Sequence, residues 1–465
     1  MRSIMPEQNE NNGSEKITNR REFLKLSAVA GLGAAMLTTE KAGADLPGRD
    51  KPAPLKPFTN EPMERVRVAF VGTGAQGSAH VRNFMGIENV DIVAACDIIP
   101  ERAQRVADWC VKDGRPAPNL YTRGDWDFVR LCENEDVDLV FTATPWRWHV
   151  PVCVAAMENG KHAATEVPAS YTIEGCWQLV ETAEREQKHC VMMENCCYDY
   201  VELMILNMVR KGLFGELLHA EGAYNHDLRA VKFNLDYEGA WRRDHSMTRN
   251  GNLYPTHGLG PVAQCLNVNR GDQFDYIVSM SSNSRGLQNW ALEHYPEGSP
   301  FRNETYALGD VNVSLIRTKL GRTITLIHDT NLPRPYSRAI LVQGTHGIIR
   351  KYPETLIHIE GRSEGHGWEK IENYKEEFEH PLWTGLQEKS RGAGHGGMDY
   401  IEDYRLVQCM LKGEPTDMDV YDAAAWSVIC ETSEISVAHR SRSVDIPDFT
   451  RGRWAVRKPL GIVEA

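Results

Sequence analysis

The chain has 465 residues, 42% hydrophobic and 25% charged. That is room for two or three domains at roughly 150 residues each, with ordinary globular usage, and it excludes wholesale disorder, collagen-like repeats and a polytopic membrane protein. A net charge of −12 argues against a nucleic-acid partner, which would require a basic face.

Residues 1–44 differ from the rest. A polar stretch leads to Asn19-Arg20-Arg21-Glu22-Phe23-Leu24-Lys25, then to an apolar run, Leu26 to Leu37, and to Ala42-Gly43-Ala44. The run is shorter than the ~20 residues a membrane span needs. Charged region, apolar region and small-x-small site in that order read as an export signal, and the arginine pair resembles the bacterial twin-arginine type. The expected location is therefore periplasmic, extracellular or surface. Residues 45–64 read as a linker.

Arg65 to Val71 is a short β-rich run ending in Gly72-Thr73-Gly74-Ala75-Gln76-Gly77, followed by a helical stretch, Ser78 to Met85. A second strand, Val90 to Cys96, ends in Asp97. Strand, glycine turn, helix, strand and acid in this order form a dinucleotide-binding fingerprint. Gly72 permits the tight turn, Gly74 admits the pyrophosphate, and Gly77 lets helix and strand pack. Asp97 accepts from the ribose hydroxyls and repels a 2′-phosphate, which favours NAD. A strand at Val137–Thr144, a helix at Pro151–Asn159 and a strand at Lys161–Glu166 continue the alternation. The expected fold is α/β: an N-terminal Rossmann doubly wound parallel sheet over residues 65–195, with ligands at the carboxyl ends of its strands. That rule puts Trp146, Arg147, Trp148 and His149, and Glu166-Val167-Pro168, beside the cofactor.

The arrangement around Glu166-Val167-Pro168 resembles the Gfo/Idh/MocA oxidoreductases, whose hallmark there is Glu-Lys-Pro. Val167 stands where those enzymes carry the lysine, and it can donate neither a proton nor a hydrogen bond. From about Arg65 to Phe449 the chain more specifically resembles glycoside hydrolase family 109. The shared motifs are Thr144–His149, Met193–Tyr198, Asn207–Gly212, Tyr224–Arg229, Tyr254–Gly258, Arg334–Tyr336 and Gly392–Tyr400.

The resemblance implies a C-terminal α+β domain, residues 196–465, with a large, mainly antiparallel open sheet, a homo-oligomeric state, and NAD as cofactor. It also implies hydrolysis of terminal α-N-acetylgalactosamine by NAD-dependent C3 oxidation, C2 deprotonation, elimination at C1, water addition and re-reduction. Ala75, Gln76, Asn195, Tyr254 and His257 join the cofactor set. Tyr224, Arg242, Tyr254, Pro255, Thr256, His257 and Tyr336 match substrate-contacting positions. His257 and His226 are the candidates for proton transfer, since imidazole titrates near neutral pH, with Tyr224 and Glu194 as partners. His395, among glycines, reads as a structural or lid residue as readily as a catalytic one. No metal-ligand spacing is present, and the eleven cysteines, without a CxxC pair, are expected to be buried hydrophobes. An exported NAD(P)-dependent sugar oxidoreductase and a non-catalytic nucleotide- or sugar-binding protein are the competing readings. Val167 counts against the first. The density of Tyr, His, Arg and Glu in the second half counts against the other. In that half Ile277–Ser281, Val311–Arg317, Thr323–His328 and Ala339–Val342 read as strands.

Overall fold

The computed structural model describes residues 56–459 and 461–462. The expected leader, residues 1–44, lies outside the described residues, as does the expected linker up to residue 55.

The first sheet has six parallel strands: β1 (Val66–Val71), β2 (Val90–Cys96), β3 (Asn119–Tyr121), β4 (Leu139–Thr142), β5 (His162–Thr165) and β6 (Cys190–Met192). Their order is β3-β2-β1-β4-β5-β6, the doubly wound arrangement whose switch point lies between β1 and β4. Every residue of β4, β5 and β6 is buried, as expected of strands covered on both faces. β3 and the helix Asp127–Asn134 were not legible in the sequence, because a three-residue edge strand offers no alternation to read. The first helix begins at Ala75 rather than Ser78.

The second sheet has nine strands: β7 (Leu217–Asn225), β8 (Phe274–Ser281), β9 (Val311–Thr318), β10 (Thr323–Asp329), β11 (Leu341–Gly344), β12 (Gly347–Arg350), β13 (Leu356–Ile359), β14 (Glu369–Lys370) and β15 (Val444–Asp445). Their order is β14-β13-β12-β11-β7-β10-β9-β8-β15. Only β7 and β10 run parallel, so the sheet is mainly antiparallel, as expected. The strand expected at Ala339–Val342 begins instead at Leu341, because Ala339 sits at φ +49° and leaves the extended region. β9 reverses the usual alternation: Asn312, Ser314 and Thr318 face inward while Val313 and Leu315 are exposed. The inward polar groups satisfy one another, Ser279 Oγ lying 2.9 Å from Ser314 Oγ and accepting from Asn312 at 2.9 Å.

Two packing features position the site. The helix Thr256–Cys265 lies directly on β7, because a Cβ at Gly258 would come within 2.2 Å of Ala223 N and one at Gly222 within 2.4 Å of Gly258 O. The helix Met398–Lys412, far along the chain, packs back onto the first sheet. Its Tyr400, Leu406, Val407 and Met410 join the apolar cluster of Phe70, Phe84 and Phe141. Among the described residues no helix is long and apolar enough to cross a membrane.

Candidate active site

The carboxyl edge of the first sheet opens into a cleft lined by Gly72, Gly74, Ala75, Gln76, Asp97, Arg102, Thr144, Arg147 and Trp148, among others. Its floor is built to admit backbone rather than side chain. Gly72 lies at φ +82°, and a Cβ there would meet Ala143 at 2.9 Å. At Gly77 a Cβ would sit 1.9 Å from Gly72 O. At Gly74 the nearest atom would be Arg102 Nη1 at 3.4 Å, so the space above Gly74 is open. No side chain caps the helix Ala75–Met85, which leaves its first-turn N–H groups aimed at the cleft. Asp97 Oδ2 accepts from Thr73 N at 2.8 Å and Oδ1 from Ile99 N at 2.9 Å, fixing the carboxylate at the end of β2. Open backbone over Gly74, uncapped helical N–H groups and an anchored acid together fit a dinucleotide.

The short turn Trp146–Trp148 distributes its side chains. Arg147 and Trp148 line the cleft, with the guanidinium 5.3 Å from the indole. Trp146 turns the other way, its ring 5.7 Å from Tyr254 and 4.9 Å from Trp241. His149 is buried, its Nδ1 2.8 Å from Pro168 O and its Nε2 2.8 Å from Thr144 O. Both its ring nitrogens face main-chain carbonyls, so the structure assigns it to holding the loops after β4 and β5. Val167 is buried at the end of β5.

Beside the cleft the second half supplies an aromatic floor. Tyr224, on β7, lies 4.5 Å from Tyr254 and 5.4 Å from His257 between ring centroids, and Tyr254 lies 4.9 Å from His257. Tyr336 is 5.0 Å from His226. Arg242 stands over Trp241, Tyr254 and Trp146 at 4.4, 5.5 and 5.6 Å, and is paired with Glu238 at 2.9 Å. Pro255 and Thr256 are buried in the turn that starts the helix Thr256–Cys265 and hold His257 at the surface of the site.

Three imidazoles here differ in environment. His257 Nδ1 lies 2.7 Å from Glu194 Oε1. Against a carboxylate, Nδ1 carries a proton, and in the neutral ring that arrangement leaves Nε2 as the acceptor. Glu194 is fully buried, and its Oε1 also accepts from Cys196 N at 3.2 Å. Among the described residues Glu194, Cys196 and His257 form the group whose ligating atoms lie within 4.8 Å of one another. The His257–Glu194 distance is that of a hydrogen bond, and burial holds the Cys196 thiol protonated. His226 Nδ1 lies 3.1 Å from Tyr224 Oη. Burial lowers His226 and raises Tyr224, so a protonated phenol stands beside a neutral imidazole. His395, at φ +50° in the turn Gly394–Gly397, donates through Nδ1 to Asp399 Oδ2 at 2.7 Å. That hydrogen bond raises it above the ordinary histidine range. Asn195 donates to the other Asp399 oxygen at 2.7 Å, and Gln76 reaches Asp399 at 3.4 Å.

Residues 198–456 match the glycosyl hydrolase 109 C-terminal domain, and residues 66–194 the oxidoreductase family with an NAD-binding Rossmann fold. A glycosyl hydrolase family 109 protein of Solibacter usitatus (strain Ellin6076) is 47% identical over 446 residues, 95% of this chain and 99% of that protein. The chain belongs to glycosyl hydrolase family 109. A second family member, from Shewanella pealeana (strain ATCC 700345 / ANG-SQ1), is 45% identical over 454 residues, 96% of this chain and 99% of that protein. This family member is an NAD-dependent enzyme, and NAD is its cofactor. The fold recurs in an NAD binding oxidoreductase from Klebsiella pneumoniae, with a TM-score of 0.66 and 18% identity, over 83% of this chain and all of that one. It recurs also in levoglucosan dehydrogenase in complex with NADH and levoglucosan, with a TM-score of 0.63 and 19% identity, over 82% of this chain and all of that one.

The sequence alone left three features unread: the pairing of Asp399 with His395, His80 beneath the cleft, and Asp403 beside it. One signal was available. Asp399 and Asp403 are one turn apart on a single helix, and acids at that spacing share a face.

Proposed function

We propose that this family member hydrolyses terminal α-linked N-acetylgalactosamine by transient oxidation at C3, proton removal at C2, elimination of the C1 substituent, addition of water and re-reduction. The observation that carries the reading is the pair of differently poised imidazoles, His226 and His257, on one aromatic floor, with a third, His395, held by Asp399 next to Asn195 and the cleft residue Gln76. Net oxidation of an alcohol needs one proton acceptor. Elimination also needs a base for the C2 hydrogen and a donor for the departing oxygen.

When bound, the nicotinamide supplies a reversible hydride acceptor for the sugar carbon. The chain supplies the rest. Nε2 of His257 accepts a proton, and the Glu194 carboxylate stabilises the imidazolium that forms. Tyr224, kept protonated by burial, is hydrogen-bonded to His226 Nδ1; with Nδ1–H donating to the phenol oxygen, Nε2 of His226 is the second acceptor. His395, held protonated by Asp399, offers its Nε2 proton to the leaving oxygen. Arg242, Tyr254, Trp146 and Tyr336 supply the stacking and hydrogen-bonding surface for the sugar. Gly72, Gly74, Ala75, Gln76, Gly77, Asp97, Arg147, Trp148, Glu166 and Asn195 serve the cofactor. Val167 contributes no proton, which leaves the proton transfers to the histidines.

Incubation with p-nitrophenyl α-N-acetylgalactosaminide in deuterated buffer without added NAD tests this. Nitrophenol release with deuterium at C2 of the product sugar is expected. Net NADH with an oxidised sugar, or no turnover, overturns it.

Two further readings belong to the same proposal. The Arg20-Arg21 leader supports export of the chain folded around its nucleotide, since a cofactor regenerated in every turnover needs no external supply. The exposed Met280, Val313 and Leu315 on the outer face of the second sheet support a homo-oligomer formed through that face.

A further inference from the structure

The inner face of the helix Ala75–Met85 carries a second feature. His80 is fully buried. Its Nε2 lies 2.8 Å from Glu166 Oε1, and its Nδ1 lies 2.8 and 2.9 Å from the two oxygens of Asp403. Carboxylates on both sides call for a proton on both ring nitrogens, because a neutral imidazole would meet one of them lone pair to lone pair. The acids are themselves held. Asn83 donates to Asp403 at 2.9 Å, and the Val167 N–H donates to Glu166 Oε2 at 3.1 Å. Gln76 Nε2 lies 3.4 Å from both His80 Nε2 and Asp399 Oδ2. Glu402 completes the group, both its oxygens buried without a hydrogen-bond partner among the described residues.

We propose that His80 is a positioning residue for cofactor binding: an imidazolium anchored by Asp403 that keeps Glu166 ionised and aimed at the edge of β5, where its carboxylate accepts hydrogen bonds from the bound dinucleotide. Glu166, just past the carboxyl end of β5, is the one acid of the group whose side chain is partly exposed, while Asp403, Asp399 and Glu402 are buried. Asp403 comes from the helix Met398–Lys412, so the second half of the chain completes the cofactor site from below. Electrostatics agree with the geometry. Burial alone would raise Glu166, and the hydrogen bond and charge of His80 bring it below the ordinary carboxylate range. Burial would lower His80, and Asp403 and Glu166 together raise it well above that of an ordinary histidine. Glu402, pushed well up by burial and by Asp403, is neutral and does not compete for His80.

The inference rests on reading Glu166 as a cofactor residue, and a double-mutant cycle separates the two claims. Release of NAD from the purified holoprotein is measured for wild type, H80Q, E166Q and H80Q/E166Q, with circular dichroism confirming the fold. H80Q and E166Q are each expected to weaken retention by about 10- to 100-fold, the value of one charge-assisted contact, and the double variant to be no worse than E166Q. Additive losses overturn the positioning role. An E166Q protein that retains NAD like wild type overturns the reading of Glu166 and the inference with it.

D403N supplies a readout that a structural role would not move. His80 then keeps only one of the two anions that hold it charged, Glu166, with Asp399 and Glu402 also facing it. It loses its proton at lower pH than in wild type, so NAD retention is expected to decline as pH rises above roughly 7 where wild type is still flat. A D403N protein as flat as wild type overturns the inference.

Discussion

Gly74 and Gly77, on the same glycine turn, make the sharpest test of the cofactor cleft. In Gly77→Ala the new Cβ would stand 1.9 Å from Gly72 O, 3.0 Å from Gly72 C and 3.3 Å from Ala143 Cβ. Two of those atoms are backbone, so no rotamer relieves the clash, and the helix Ala75–Met85 must move off β1 and β4. Overpacking of this kind costs about 1–3 kcal/mol. In Gly74→Ala the new Cβ meets only Arg102 Nη1 at 3.4 Å, so the fold is undisturbed while the methyl occupies the space that backbone N–H groups need to reach a phosphate. Losing one charge-assisted contact there is worth about 1.5–3 kcal/mol, or roughly 10- to 150-fold in affinity. Thermal denaturation and the nucleotide content of the purified protein measure both effects. G77A is expected to lose stability and nucleotide together, and G74A to lose nucleotide alone. A G74A protein destabilised as much as G77A, or a G77A protein indistinguishable from wild type, would refute the reasoning.

Replacing Glu194 by Gln keeps an acceptor for His257 but removes the charge. Turnover is expected to fall about 10- to 100-fold, and the melting temperature not to fall, since a buried ionised carboxylate is costly; a marked loss of stability would count against the catalytic role. The pH dependence has a defined sign. His395, raised by Asp399, stays protonated over a wider range, and activity is lost as pH rises through its value. Asp399→Asn lowers that value, so the alkaline limb of the kcat profile moves to lower pH, and an unmoved limb contradicts the assignment. His226, lowered by burial, stays neutral further into acid, so Tyr224→Phe is expected to alter the acid limb and leave the alkaline one in place. On the outer face, Leu315→Glu is expected to give a monomer where wild type sediments as the proposed homo-oligomer, as read by sedimentation velocity. Lys at both Arg20 and Arg21 is expected to retain the protein in the cytoplasm, as read by cell fractionation.

The legible part of the site lies in one stretch. Residues 66–97 carry their own geometry: a buried strand, a turn at Gly72, the close approach at Gly77 and an acid at the end of the next strand all act within one β-α-β unit. The motif residues Trp146 and Glu166 were placed near the cleft by the rule that ligands bind at strand carboxyl ends, and Asn195 by the family resemblance. What that rule lacked was the direction of each side chain. It assigned His149 to the cofactor along with Arg147 and Trp148, whereas the turn Trp146–Trp148 sends Trp146 toward Tyr254 and Trp241, and His149 begins a helix that carries its ring inward to Pro168 and Thr144.

The sequence by itself determined the α/β class, the dinucleotide cleft and the family, because these depend on short-range backbone geometry and on contiguous motifs. Only the tertiary structure decided which distant side chain each buried acid meets. Glu194 meets His257, Asp399 meets Asn195, and Asp403 meets His80, across 63, 204 and 323 positions of chain. The cause is packing: glycines at 222 and 258 let one helix settle onto β7, and the apolar face of the helix Met398–Lys412 buries itself on the first sheet. Neither contact leaves a periodic trace near the residues that it brings together.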